Sequence, residues 1–296
     1  MIEAESLTKV YGATTAVAEL TFRVAPGVVT GFLGPNGSGK STTMRLILGL
    51  DRPASGRVLL GGKPYRELIE PLRVVGALLD AADVHGGRSA REHVAMLAAS
   101  NRISARRVRE VLDAVGLGGV ADRRVREFSL GMRQRLGIAA ALLGDPAVLI
   151  LDEPMNGLDT GGIRWLRGLL RSMADEGRTV LLSSHVMSEM ELVADHLLVI
   201  GAGRLLADEP VADFVARHSA PVVRVRSREL PALLGIIRAE SEIRDGVGLV
   251  HGLPPREIAR VAMTHGILLD ELAPVHASVE DVFTRLVGQH EIRETA

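Results

Sequence analysis

The chain contains no cysteine. That removes disulfides, zinc–thiolate sites and thiol nucleophiles together, and it fits a reducing compartment. An excess of one charge is also missing. Lys and Arg number 35 against 36 Asp and Glu, a formal net charge of −1, so nothing in the overall balance points to a nucleic-acid partner held by phosphate electrostatics. Local basic runs such as Arg102 to Arg109 read as solvated helix faces. No uncharged apolar run approaches the roughly 18 residues needed to span a bilayer; the most apolar stretch, Leu136 to Gly144, reads as a buried helix. The first residues, Met1-Ile2-Glu3-Ala4-Glu5, lack a basic leader and an apolar signal core, so a chain without signal peptide or transmembrane helix is expected. Any action at a membrane then needs another chain to supply the spanning part. What is present is 47% hydrophobic and 24% charged over 296 residues, enough for one large globular domain plus a smaller one.

Between Gly34 and Ser41 the sequence reads Gly-Pro-Asn-Gly-Ser-Gly-Lys-Ser, the spacing that wraps a nucleoside triphosphate. Glycines let successive backbone N–H groups turn into an anion-binding nest, Lys40 can reach the terminal phosphates, and the Ser41 hydroxyl can ligate magnesium. Val28 to Leu33 before it reads as a buried strand, and Thr42 to Leu48 after it has helix-compatible spacing. A strand, a glycine loop and a helix start in that order aim the positive end of the helix dipole at phosphate. A mere glycine-rich turn ending in Lys-Ser would not need those flanks.

Around this loop the chain divides into four regions. The first 75 residues carry strands at Ile2–Ser6, Ala16–Val24 and Val28–Leu33, and then a hairpin-like stretch from Gly56 to Gly62. From about 80 to 145 the texture turns helical, at Ser89–Ala99, Arg106–Val115 and Met132–Leu143, which reads as a helical insert. Apolar strands return at Val148–Leu151, Val180–Ser183 and Leu197–Ile200, and short apolar runs separated by helices predict a mainly parallel sheet buried on both faces. After about Ala216 the pattern changes to Pro221–Arg226, Pro231–Arg238, Val247–Gly252, a helix opened by Pro254-Pro255, Ile267–Glu271, and a last helix from about Val279 to Val287. Ser278 with Asp281 forms a capping box for that helix. The expected domains are therefore 1–216 and a small α/β appendage at 217–296.

Three further segments carry chemistry. Val148 to Leu151 delivers the adjacent carboxylates Asp152 and Glu153 at a strand end. Asp152 can hold magnesium opposite Ser41, because hard divalent cations favour oxygen ligands, and Glu153 can orient or deprotonate an attacking water. His185 ends the next apolar strand, and in a parallel α/β sheet the carboxyl ends of strands face the ligand crevice, which puts it near Asp152, Glu153 and Lys40. Phe128-Ser129-Leu130-Gly131-Met132 opens a helix. Ser129 could be an ordinary cap there, or, with free backbone N–H groups, part of a phosphate contact.

In combination these residues resemble the nucleotide-binding subunit of an ABC transporter, over about residues 2–215 and with the motifs in family order. Gly34–Ser41 is similar to the Walker A loop and Leu149–Glu153 to the Walker B strand with its catalytic glutamate. Phe128–Met132 resembles the signature, Asn156-Gly157-Leu158-Asp159 the D-loop, His185 the switch histidine, and Tyr11 the aromatic residue that stacks on adenine. The resemblance implies a P-loop NTPase core with a mainly parallel sheet, a helical subdomain and a small C-terminal α/β appendage, with Lys40, Glu153 and His185 in the catalytic set. It implies ATP contacts from Tyr11, Gly34, Pro35, Asn36, Gly37, Ser38, Gly39, Lys40, Ser41, Thr42, Ser129, Gly131 and Asp159, and Mg2+ on Ser41 and Asp152. Family members usually carry glutamine after the strand Val74–Leu79; Asp80 stands there and could also take the metal. In the signature, Leu130 and Met132 replace glycine and glutamine while Ser129 and Gly131 remain.

The signature, Asn-Gly-Leu-Asp and the ending Ser278 to Phe283 look most like the multidrug, antibiotic and bacteriocin export branch, whose permeases are separate chains of the ABC-2 type. The resemblance implies a second nucleotide-binding subunit, most simply a second copy, no nucleic acid, and a peripheral position on the cytoplasmic face of the membrane through the permease. Two expectations follow. The first is an ATPase energising export of a drug, antibiotic or peptide; the alternative is an ATP-binding regulatory or self-immunity module in which binding matters more than turnover. A soluble ABC protein of translation or repair would bring two nucleotide domains or a long coiled coil, and a nucleotide kinase has no use for the signature segment.

Overall fold

The computed structural model describes residues 1–81, 84–218, 222–275 and 278–295. In chain order its elements begin with β1 (Ile2–Tyr11), β2 (Thr14–Val24), β3 (Val29–Leu33), α1 (Lys40–Ile47), β4 (Ser55–Leu60), the single turn α2 (Pro71–Val74) and β5 (Val75–Leu78). Next come α3 (Ala90–Ser100), α4 (Ala105–Ala114), α5 (Leu130–Leu142), β6 (Val148–Leu151), α6 (Thr160–Asp175), β7 (Thr179–Ser183), α7 (Met187–Val193), β8 (His196–Gly201) and β9 (Arg204–Pro210). The rest is α8 (Val211–His218), β10 (Val222–Arg226), α9 (Leu230–Ile237), β11 (Ser241–Arg244), β12 (Val247–His251), α10 (Pro255–Thr264), β13 (Glu271–Val275) and α11 (Val279–Thr295). Contacts divide the chain into Met1–Val211 with Val287–Ala296, and Ala212–Leu286.

In the first unit six strands run in the order β5-β6-β7-β3-β8-β9. All neighbours are parallel except β9, which returns antiparallel to β8. Every residue of β3, β6 and β7 is buried, the consequence of covering a parallel sheet on both faces. A separate antiparallel sheet, β2-β1-β4, packs Ile2, Leu7, Leu20 and Phe22 against Phe32, Ile150, Leu181 and Leu198, with Met44 and Ile47 of α1 in the same core. The hairpin-like stretch of the sequence is half right: Leu60 bridges Lys63 across a tight turn, but β4 pairs with β1. β1 itself runs to Tyr11, beyond the Ser6 limit expected. Ser6 sits at φ 45 and the pairing with β2 shifts between Ala4 and Leu7, so the buried positions change from even to odd numbers. That irregularity breaks the period-2 signal that sequence reading depends on.

The second unit has the order strand, helix, strand, strand, helix, strand over β10 to β13, folded into the antiparallel sheet β11-β12-β10-β13. Val223, Val225 and Val250 meet Leu230, Leu233, Ile258 and Ala262 of its helices in a core of its own. The last strand falls at Glu271–Val275, later than the 267–271 stretch singled out in the sequence, and α11 continues past residue 287 to Thr295. Its capping box forms as expected. The Ser278 N–H donates to Asp281 Oδ2 at 3.0 Å and the Asp281 N–H to Ser278 Oγ at 3.1 Å.

Helices α5 and α6 cover the far face of the parallel sheet. Gly76 decides how closely α5 approaches: a methyl group on it would overlap the Ala141 carbonyl oxygen of that helix. Gly76→Ala should therefore lower stability by about 1–3 kcal/mol through overpacking. Gly168→Ala is the matching control, because Gly168 lies exposed in α6 with open space around it and the change should raise stability by about 0.5–1 kcal/mol. Urea unfolding of both variants checks the pair; equal effects of one sign would contradict the close approach.

Candidate nucleotide site

The phosphate loop links β3 to α1. Its last residue, Gly39, takes φ 104, and a methyl group there would strike the Ala16 carbonyl oxygen, so the loop lies flat against the β1–β2 side. No side chain caps α1, which leaves its first N–H groups pointing outward. Lys40 begins the helix and is only 7% exposed. Its ammonium donates to the Gly34 carbonyl at 2.6 Å and the Pro35 carbonyl at 3.2 Å. Burial holds that ammonium below the usual lysine range, and the Glu153 and Asp152 carboxylates oppose the shift. The buried Ser38 hydroxyl has no hydrogen-bond partner among the described residues.

Opposite the loop, β6 ends in the two carboxylates. The Ser183 hydroxyl, at the end of β7, donates to Asp152 Oδ1 at 2.5 Å and accepts the Glu153 N–H at 2.9 Å. Glu153 takes φ 49, a left-handed conformation that costs a non-glycine residue energy and persists only where neighbours hold it. They do. Beyond Ser183, the Gln134 side-chain amide donates to its carbonyl at 3.2 Å, and the His185 N–H donates to Oε2 at 3.2 Å. His185 Nδ1 lies 2.7 Å from the same oxygen. Where the carboxylate accepts in this contact, Nδ1 is the donor and Nε2 is left for a substrate or water.

Asn36, Gly37, Gly39, Lys40, Ser41, Thr42, Asp152 and Glu153 line one cleft of about 280 Å³. Asp80 lies in an adjoining groove of about 540 Å³ that Ser41 and Asp152 also line. Pro35 and Gly34 contribute their carbonyls to Lys40. Tyr11, 46% exposed, hydrogen-bonds Asp51 at 2.8 Å and also meets the Thr42 side chain at the rim of the loop.

The remaining sequence candidates lie apart from the cleft lining. Ser129 caps α5, accepting the Met132 N–H at 3.3 Å, and Asp159 caps α6, accepting the Gly162 N–H at 2.7 Å. A methyl group on Gly131 would come within 2.7 Å of the Gly157 carbonyl, so the signature segment sits on the turn that follows Glu153. Sequence reading missed Ser183 and Gln134. A serine closing β7 after three apolar residues was a signal for the first. Gln134 gave none, because its partner is a backbone carbonyl nineteen positions away.

The residues fit a bound polyphosphate: outward amides at a helix start, a buried cation and a close backbone cradle are anion-binding features. No group of three or more His, Asp or Glu able to hold a metal occurs among the described residues, so a metal held by Ser41, Asp152 and Asp80 would need oxygens from the nucleotide. No helix among the described residues is long and apolar enough to cross a membrane.

Comparison with known proteins agrees with this geometry. The ABC transporter family model matches residues 17–156, and a domain of unknown function matches 221–280. The bacitracin transport ATP-binding protein BcrA of Bacillus licheniformis is 34% identical over 299 residues, covering 97% of either chain. The lantibiotic transport ATP-binding protein SrtF of Streptococcus pyogenes is 36% identical over 209 residues, 71% of this chain and 90% of its own. Among solved structures, an ATP-binding subunit of an ABC transporter superposes with a TM-score of 0.67 at 27% identity, over 73% of this chain and 92% of the other. With a relative alike along nearly its whole length, the chain belongs to the ABC transporter family, among its ATP-binding subunits.

Proposed function

We propose that this subunit binds and hydrolyses ATP with Mg2+, and so energises export of an antibiotic, drug or peptide through a separate membrane permease of the ABC-2 type. The observation that carries the reading is the Glu153–His185 pair, joined at 2.7 Å, with Glu153 on the same cleft as Lys40. A subunit that only bound nucleotide would have no need of a carboxylate held in a left-handed turn. The names of the relatives, bacitracin transport in one and lantibiotic transport in the other, support an antibiotic or peptide cargo.

The chain's own groups divide the work. Lys40 and the loop amides bind phosphate oxygens and offset their charge. Glu153 accepts a proton from an attacking water or orients it, and His185 keeps the carboxylate in place. Mg2+, when bound, supplies charge neutralisation, and Ser41 and Asp152, with Asp80 in the adjoining groove, are the protein oxygens for it. Ser129, Gly131 and Asp159 lie outside the lining of their own cleft. That supports a two-fold arrangement in which they serve the nucleotide of a second copy. Attachment to a permease places the subunit at the cytoplasmic face of the membrane.

Glu153→Gln should lower the steady-state rate of phosphate release by about 10²-fold or more, the usual worth of a general base, while Mg-ATP drives the variant into a dimer visible by light scattering. Full hydrolysis in that variant, or a monomer that takes up no nucleotide, would defeat the assignment. Asp80→Asn should shift the Mg2+ titration of activity several-fold while leaving ATP affinity within about twofold. An unchanged titration would remove Asp80 from the metal's surroundings.

A further inference from the structure

Helix α5 opens with the signature segment, and its next turn holds the catalytic carboxylate's backbone. Gln134 is only 5% exposed, and the Glu153 carbonyl to which it donates also accepts the Asn156 N–H at 3.2 Å. The left-handed peptide is thus gripped from within its own turn and from a helix that belongs to another part of the chain. The neighbouring Arg135 fixes that helix on its other side. It donates to the Val115 carbonyl at the end of α4 at 2.9 Å, and its guanidinium lies 4.7 Å from the centre of the Trp165 ring on α6. At the helix start, Gly131 rests against the Gly157 carbonyl. With both flanks and the tip seated, α5 cannot shift without pulling on the peptide that carries the Glu153 side chain.

We infer that Gln134 is a positioning residue for hydrolysis, tying the orientation of Glu153 to the placement of the signature helix. The inference rests on the ATPase reading above. If Ser129 and Gly131 of one copy meet the nucleotide of the other, the Gln134 amide links what α5 meets at its tip to the carboxylate of its own cleft, and the two sites of a dimer then report on each other. Removing the donor leaves a partly buried carbonyl short of a partner and frees the turn to relax, which carries the carboxylate off its line. Among the described residues no hydrogen bond joins the Lys40 loop to Gln134, so nucleotide capture should be untouched.

The test uses the full chain with Gln134→Leu, which keeps the volume and loses both polar ends, and Gln134→Glu, which keeps the shape but when ionised cannot donate. Both should lower kcat by about tenfold, the worth of one well-placed hydrogen bond at a reacting group. Nucleotide affinity measured with a fluorescent ATP analogue should stay within about twofold, and the Hill coefficient for ATP should fall towards one. Thermal melting identifies a variant that fails to fold, in which case the Glu variant, polar and of the same size, decides. An unchanged kcat and Hill coefficient in a folded variant overturns the inference, as does a loss of affinity that matches the loss of kcat. A wild-type chain that hydrolyses no ATP would instead overturn the parent reading, and this one with it.

Discussion

The parallel register of β3, β6 and β7 is the constraint on which the site depends. Leu151 lies beside Leu182, and Phe32 beside Ser183, so the three strands stop at nearly the same level. The phosphate loop, the two carboxylates and the Ser183-to-His185 turn leave the sheet at that one edge. Burial holds the register. Each large aliphatic side chain on these fully covered strands contributes about 1.5–3 kcal/mol when removed from water. A slip of one residue would turn every side chain to the opposite face and separate Lys40 from Glu153.

At that edge the cleft separates charge. Its floor is a buried ammonium and a ring of backbone N–H groups; its wall is Asp152 and Glu153. Attraction to the two carboxylates offsets part of what burial costs the Lys40 ammonium, while Lys40 also donates to loop carbonyls and Asp152 accepts from the Ser183 hydroxyl. A polyphosphate suits the floor and a hard cation or polarised water suits the wall. Glu153 is the strained member of the set. Its left-handed backbone, of order 1–3 kcal/mol for a non-glycine residue, is borne by three partners that come from β7, from α5 and from the turn after β7. Convergence of three elements on one residue, at its N–H, its carbonyl and its carboxylate, is how a small site becomes rigid.

Much of this was legible in the sequence, for a reason that can be named residue by residue. The Gly34-to-Ser41 spacing, Asp152-Glu153 after four apolar residues, and His185 after the next apolar run each place their chemistry within a few positions, where local backbone geometry dictates what the side chains can do. The capping pair Ser278 and Asp281 is legible for the same reason. β1 past Ser6 was not, because a bulge reverses the alternation, and neither was the pairing of β4 with β1, because a strand's sequence does not say which neighbour it will join. The hydrogen bond from Tyr11 to Asp51 was not legible either, because it joins residues forty positions apart.

The amino-acid order by itself set out the pieces of the candidate site, a glycine-rich loop ending in Lys-Ser, two carboxylates after an apolar run and a histidine after the next, since each is written in contiguous residues. The tertiary structure alone decided how those pieces are held. Ser183 joins Asp152 to the Glu153 peptide, Gln134 reaches that peptide from the signature helix, and Gly76 lets the helix come close enough for it to do so. These are contacts between backbone and side chains from distant segments, and such contacts follow from packing distances between elements, which no local pattern of residue types encodes.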